Sequence, residues 1–300
     1  MPTPHIALVT ARAARELDED LAPLEAALTE AGAAVSVADW DDEAIDWSRF
    51  DLAVLRSTWD YTLRLAEFLA WLERASAATR LRNPLPVVRW NTDKHYLRDL
   101  ARAGVPVVPS AFVEPGEDAG AALAAFLDAH AAAEFVVKPA IGAGSRDAQR
   151  YGRDERAAAS AHAERLLAAR RSVLLQPYLD RVDAHGETAL IHFAGAFSHA
   201  IRKGPLLRRG EGPTRALFAA EHIRPRRPAA EELALAERTL AAIPFARPLL
   251  YARVDLIHDA AGAPLVLELE LAEPSLFFAH GPGSAARFAR AILAEVGVPA

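Results

Sequence analysis

The chain has 300 residues, 52% of them hydrophobic and none of them cysteine, and carries a formal charge of −6 at pH 7. That length and apolar content suffice for two or three packed units. The acidic balance argues against a nucleic-acid partner, which needs a concentrated basic surface, and the lack of cysteine excludes disulfides and thiolate metal sites.

From the N-terminus, MPTPHIALVTARA lacks a basic region followed by an apolar stretch of signal length, and no run of about eighteen apolar residues follows. We therefore expect a cytoplasmic protein with no membrane partner. HIALVTA (5–11) reads as a buried strand, and LAPLEAALTEAG (21–32) as an amphipathic helix stopped by Gly32. AAVSVADW and DLAVLRST are two further short strands, a helix is expected over 62–78, and PLPVVRW (84–90) reads as another strand. This βαβ alternation predicts a small doubly wound parallel sheet, whose ligands sit beyond the carboxyl ends of its strands. RSTWDY (56–61) directly follows the strand DLAVL and so lies at such a place.

At Asn91 the texture changes. A helix runs to Gly104, an extended Pro-rich segment follows, and a second helix falls within 116–134. FVVKPAIGAGS (135–145) is a strand that ends in a lysine and a glycine loop. Residues 155–171 are helical, and SVLLQPYL (172–179) is a strand ending in a bend. TALIHFAGAFSHAIRKG (188–204) reads as a hairpin turning at Ala194-Gly195, and 208–227 as a Gly-, Pro- and Arg-rich loop. Helix 229–242, strands LYARVDLIHD and PLVLELEL, and helix 284–296 complete the chain.

Two local patterns point to chemistry. In a strand, Glu268 and Glu270 share a face opposite Leu267, Leu269 and Leu271. The hairpin turn at Asp259–Gly262 brings Asp255 beside them. Three oxygen donors without His or Cys suit a hard cation such as Mg²⁺. A solvated edge strand is the bland alternative for the two glutamates alone; Asp255 and nearby Arg253, both in an apolar strand, favour the metal. The second pattern is lysine scarcity. Lys94, Lys138 and Lys203 are the only lysines among 34 basic residues, and each sits at an element boundary beside a polar or glycine-containing loop. A lysine is a compact point charge that fits between phosphate oxygens, whereas the guanidinium fork is larger and directional. Chance survival of three surface lysines is the alternative. AIGAGSRD is neither G-x-x-x-x-G-K-[ST] nor G-x-G-x-x-G, although its glycines allow backbone N–H groups to close on phosphate oxygens.

Taken in order, NTDK, FVVKPAIGAGS, LLQPYL, ARVDL and LVLELEL resemble the ATP-grasp superfamily of carboxylate–amine ligases. The resemblance runs from about residue 91 to the end, and the preceding unit is similar to that family's N-terminal domain. It implies an α/β (α+β) ATP-grasp fold in three parts: a doubly wound α/β domain (1–90), a central lid domain (91–175) and a C-terminal ATP- and metal-binding domain (176–300). It implies ATP held by Lys94 and Lys138, by the loop Gly142, Ala143, Gly144 and Ser145, and by the hinge Gln176, Pro177, Tyr178 and Leu179, with Glu187 following. It makes Asp255, Glu268 and Glu270 ligands of two Mg²⁺ ions, with Glu270 where many relatives carry asparagine. Arg253 then faces the acyl intermediate, and Arg202 and Lys203 stand near phosphate or substrate.

LRSTWDY and LELELAEPSLFF further resemble the subgroup of the O-ureido-D-serine cyclo-ligases of D-cycloserine biosynthesis. That implies activation of a small amino-acid carboxylate as an acyl phosphate, ring closure by the aminooxy nitrogen of the same molecule, and loss of the carbamoyl group. In RSTWDY we expect Arg56 to pair with a substrate carboxylate and Asp60 with an ammonium. Ser57 and Thr58 frame the site, Trp59 or Tyr61 excludes water, and Ser275 and Phe277 close the other side. The competing reading makes Thr58 or Asp60 a cap of helix 62–78. A linear amino-acid or peptide ligase, a nucleotide sensor without turnover and a dinucleotide oxidoreductase remain rivals. The last lacks a glycine fingerprint after HIALVTA. The sequence leaves a homodimer open.

Overall fold

A computed structural model describes residues 2–210, 212 and 222–298. The first sheet is built from β1 (His5–Thr10), β2 (Ala34–Asp39), β3 (Leu52–Leu55) and β4 (Leu81–Arg82), all parallel in the order β2-β1-β3-β4. Every residue of β3 is buried, as expected for a parallel sheet covered on both faces. Helix α1 (Leu21–Glu30) turns Leu21, Leu24 and Leu28 inward, at the spacing of one helical face. Helix α2 (Leu65–Ala78) buries Phe68, Trp71 and Leu72. It starts later than the expected 62–78, because Trp59–Leu63 forms a 3₁₀ turn first. PLPVVRW is not a strand: α3 spans Leu85–Asn91. Its prolines fall at the entry and first turn, where a missing N–H costs no helical bond.

Helix α4 (Tyr96–Arg102) leads to β5 (Ala111–Val113) and α5 (Ala119–Ala129). β6 (Glu134–Pro139), β7 (Gln149–Gly152), α6 (Arg156–Ala168) and β8 (Val173–Pro177) follow. These strands form an antiparallel sheet in the order β5-β8-β6-β7, backed by Leu123, Phe126 and Leu166 from α5 and α6.

After the short α7 (Arg181–His185) come β9 (Glu187–Phe193), β10 (Ala196–Lys203), β11 (Ile223–Arg226) and α8 (Ala230–Ala241). β12 (Tyr251–His258), β13 (Pro264–Glu270) and α9 (Ser284–Glu295) close the chain. The third sheet runs β11-β10-β9-β12-β13, antiparallel throughout. The β9–β10 hairpin turns at Ala194 and Gly195, both at positive φ (47° and 81°), the twist a two-residue turn between antiparallel strands requires. Of the loop expected over 208–227, residues 211 and 213–221 lie outside the described residues, and Ile223–Arg226 is an edge strand rather than loop. The first and third sheets share a core in which Phe288 of α9 stacks on Phe193 (4.6 Å between centroids) beside Leu24 and Leu28 of α1.

Candidate active site

One cleft gathers most of the residues expected to bind nucleotide, metal and substrate. The end of β6, the loop after it, the end of β8, and the facing edges of β9, β10, β12 and β13 all border it. The first lysine, Lys94, follows α3 and is 7% exposed. Its backbone N–H donates to the Ala140 carbonyl (2.9 Å), and its Nζ donates to the Gly142 carbonyl (2.7 Å) and pairs with Glu268 (2.8 Å). NTDK is thereby tied to the glycine loop and to β13 at once. Burial opposes the charge on Lys94, but Glu268, Glu270 and Glu273 outweigh it and hold its pKa above the ordinary value.

Lys138 ends β6 and differs from the other two lysines. Among the described residues no carboxylate forms an ion pair with it. Burial pushes its pKa down to about 8, with Glu268 opposing the fall and Lys94 and Lys203 reinforcing it. The loop Gly142, Ala143, Gly144 and Ser145 lines the same wall, with Gly144 and Ser145 both in the left-handed region (φ 59° and 57°). Gln176, Pro177, Tyr178 and Leu179 line it from β8. The Tyr178 N–H donates to the Glu134 carbonyl (2.9 Å), and Arg150 lies 3.5 Å over the Tyr178 ring.

The β12–β13 hairpin sets the acids. Register pairs Asp255 with Glu268 and Arg253 with Glu270, as the strand alternation required. Each of these three acids faces a cation. Arg253 donates from Nε and Nη2 to Asp255 (2.8 and 2.9 Å), reaches Glu270 through Nη2, and donates to the Ser275 carbonyl (3.1 Å). Lys203 pairs with Asp255 (2.6 Å) and Glu187 (3.0 Å). Burial would raise the Asp255 pKa, but Arg253 and Lys203 pull it down to about 2. Glu270 goes the other way: burial and the neighbouring Asp255 and Glu268 overcome Arg253 and push it up to about 8. Glu268 is held below its ordinary value, because Lys94 and Lys138 more than offset burial.

This donor set fits a hard divalent cation at Glu268 and Glu270, which line the cleft: Glu268 is already ionised, and a cation would supply the positive charge that Glu270 needs to ionise. Asp255 lies behind them, 1% exposed, with both oxygens already committed to Arg253 and Lys203. Accordingly, no three acidic or histidine side chains among the described residues stand ready grouped for a metal ion.

Several expected site residues are elsewhere. Arg202 turns away from the cleft and donates to the carbonyls of His185 (2.5 Å) and Ala184 (2.9 Å), because alternation along β10 gives the cleft to Lys203. Arg56 is 1% exposed and buried behind the cleft wall, where it donates to the Pro274 carbonyl (3.0 Å). Ser57 hydrogen-bonds Thr10 within the first sheet (2.6 Å), and Thr58 is fully buried. Asp60 faces outward, accepting from Trp40 (2.8 Å) and pairing with Arg64 (3.6 Å). None of these four lines the cleft. Nor does Thr58 or Asp60 cap α2: the residue before it is Arg64, and no side-chain cap is made there.

RSTWDY reaches the cleft through its aromatics instead. Trp59 and Tyr61 line it together with Ser275 and Phe277. Trp59 donates to the Glu273 carbonyl (3.0 Å), and the Tyr61 phenol is near enough to the Glu273 carboxyl to offset part of the rise that burial imposes on its pKa. Glu273 is a cleft residue that the sequence pattern did not single out. Behind this wall Asp20, preceding α1, accepts the backbone N–H groups of Leu276, Phe277 and Phe278 (2.6, 2.9 and 2.7 Å). It thereby holds Phe277 in a left-handed conformation (φ 53°) with Arg253 over its ring.

Residues 6–83 match a family model described as the N-terminal domain of D-cycloserine synthetase DcsG. The cycloserine biosynthesis protein DcsG of Streptomyces lavendulae is 47% identical over 292 residues, which are 96% of this chain and 97% of that protein. The crystal structure of D-cycloserine synthetase DcsG superposes with a TM-score of 0.92 at 46% identity, covering 97% of this chain and 99% of that one. The ATP-grasp ligase PsnB, solved with its minimal precursor, Mg and ADP, shares the fold at 18% identity (TM-score 0.64, 98% of each chain). With close to half of its residues identical along nearly its whole length, and with a backbone that superposes at a TM-score of 0.92, the chain belongs to the DcsG family and has the ATP-grasp fold.

Proposed function

We propose that the protein is an ATP-dependent, ADP-forming carbon–nitrogen ligase that closes O-ureido-D-serine into D-cycloserine. The observation that carries this reading is the cation Lys138, which lines the cleft with the glycine loop, Glu268 and Glu270 and has no carboxylate partner among the described residues. A phosphate chain supplies the charge that Lys138 lacks. Lys94, already bonded to the glycine loop, adds a second cation beside it, and the 176–179 segment takes the adenine. Mg²⁺, held by Glu268 and Glu270 with Asp255 behind them, neutralises charge on the phosphate groups; two ions are proposed.

The substrate carboxylate is activated as an acyl phosphate within reach of Arg253 and Lys203. Ring closure by the aminooxy nitrogen then expels phosphate. Water cleaves the nitrogen–carbamoyl bond, leaving the proton on the ring nitrogen and releasing the carbamoyl group as carbamic acid, hence CO₂ and ammonia. Trp59, Tyr61 and Phe277 keep water from the activated carboxyl. In this reading residues 1–90, 91–175 and 176–300 are the N-terminal, lid and ATP-grasp domains. The protein works in the cytoplasm on a small amino-acid substrate, without nucleic acid or membrane, as a monomer or homodimer. No helix among the described residues is long and apolar enough to cross a membrane.

The test is to incubate the protein with ATP, Mg²⁺ and a panel of amino acids that includes both enantiomers of O-ureido-serine, following ADP and products. D-cycloserine from the D enantiomer alone is the expected result. ADP formation only with a second amino acid or amine present would replace cyclisation by linear ligation. No ADP release with any acceptor would leave a nucleotide sensor.

A further inference from the structure

The charges around the cleft do not all cancel internally. Glu187 and Asp255 share Lys203, Glu268 has Lys94, and Glu270 has Arg253. Glu273 is the acid left over. It is 8% exposed, it lines the cleft, and among the described residues it forms no ion pair. Its position is nonetheless closely fixed. Trp59 holds its carbonyl, Arg56 holds the next carbonyl at Pro274, and the Tyr61 phenol acts on its carboxyl from nearby. A carboxyl taken out of water without a counter-charge costs stability unless a ligand supplies the cation. Three aromatic side chains, Trp59, Tyr61 and Phe277, also line the cleft, and aromatic ring faces favour an organic cation.

We propose that Glu273 binds the α-ammonium group of the amino-acid substrate, with Tyr61 orienting its carboxyl. This rests on the reading of the protein as an amino-acid-activating ligase. An ammonium there leaves the substrate carboxylate free to face Arg253, whose Nη1 reaches the same wall at Ser275. Burial pushes the Glu273 carboxyl up to about 7, and a cation beside it would bring it back down. Metal binding at Glu273 is the less economical assignment, because two acids on one face of β13, Glu268 and Glu270, already line the cleft.

The experiment compares O-ureido-D-serine with its deamino analogue, 3-(ureidooxy)propanoate, by ATP- and Mg²⁺-dependent ADP release. Wild-type protein is expected to prefer the amine by ~100-fold in kcat/KM, the scale for truncating one partner of a buried charge pair. Glu273→Gln is expected to lose most of that preference, falling on the parent substrate while the analogue and the KM for ATP stay nearly unchanged. Tyr61→Phe, which keeps the carboxyl, is expected to lose part of it. A wild type that uses both compounds equally, or a Glu273→Gln protein that keeps the full preference, overturns the assignment and leaves the ligase reading intact. No ADP release by wild type with either compound removes the ligase reading, and this assignment with it.

Discussion

Lys203 and Asp255 stand 2.6 Å apart across strand β9, with both side chains buried. Asp255 also receives two hydrogen bonds from Arg253, so a single carboxylate holds two interior cations. Removing its charge strips each of a counter-charge and leaves Lys203 to Glu187 and Arg253 to Glu270. Asp255→Asn is therefore expected to lose about 3–5 kcal/mol of stability, the usual cost of breaking a buried pair. Urea denaturation at fixed ionic strength measures this. A variant with wild-type stability and no turnover would instead assign Asp255 to the chemistry alone.

Lys138 gives a pH signature. Its pKa falls from 10.5 to about 8 in the fold, so the folded protein releases this proton before the unfolded chain does. The cost to stability is full below pH 8 and is relieved as pH climbs toward 10.5. Phosphate needs the protonated form. ATP affinity is thus expected to weaken above pH 8, approaching tenfold per unit, and Lys138→Arg is expected to flatten that dependence while binding ATP more weakly at pH 7. Calorimetric titration with ATP from pH 7 to 9.5 reads both effects; identical curves for the two proteins would remove Lys138 from the nucleotide site.

For Glu273 the sign reverses. Its pKa rises from 4.5 to about 7, so the folded state keeps a proton that the unfolded chain gives up. Stability falls as pH rises from 4.5 to 7, and the full cost persists above that. Glu273→Gln is expected to stabilise the ligand-free protein at pH 8 by on the order of 3 kcal/mol at most, and to do little at pH 4.5. Melting temperatures without ligand at the two pH values check this, and equal shifts at both would contradict it.

Asp20 lies outside the cleft yet fixes one of its walls. Asp20→Asn exchanges one accepting oxygen for a donor that cannot serve the N–H groups of residues 276–278. We expect about 2–4 kcal/mol of destabilisation and a raised KM for the amino-acid substrate, with the KM for ATP unchanged. Parallel increases in both constants would show that the loop serves the nucleotide as well.

The β12–β13 hairpin was legible because alternation fixes faces and Asp259–Gly262 fixes the turn, so Asp255, Glu268 and Glu270 fall together as expected. The rule that ligands meet strand ends located RSTWDY near the site but could not say which side chains face inward. Arg56 faces the loop after β13, and Trp59 and Tyr61 face the cleft. Glu273 escaped notice because the two-residue period ends with β13 at Glu270. Asn91 carries no periodic signal either. Its amide donates to the Leu269 carbonyl (2.8 Å) and accepts from the Leu271 N–H (2.6 Å), bonds that exist only after distant segments meet. In PLPVVRW, paired valines suggested a strand, whereas prolines at its start admitted a helix that buries Val87 and Val88 against the body of the protein.

The loop from Glu273 to Phe278 belongs by sequence to the end of the chain, but Asp20, Arg56 and Trp59 of the first sixty residues hold its backbone. The position of this cleft wall is therefore a joint property of two ends of the polypeptide, and under the proposed function so is substrate preference. Grafting the C-terminal half of a relative onto this N-terminal unit would transplant the acids intact and still misplace the wall beside them. Variant libraries that search for new substrates need positions 20, 56 and 59 opened together with 273–278.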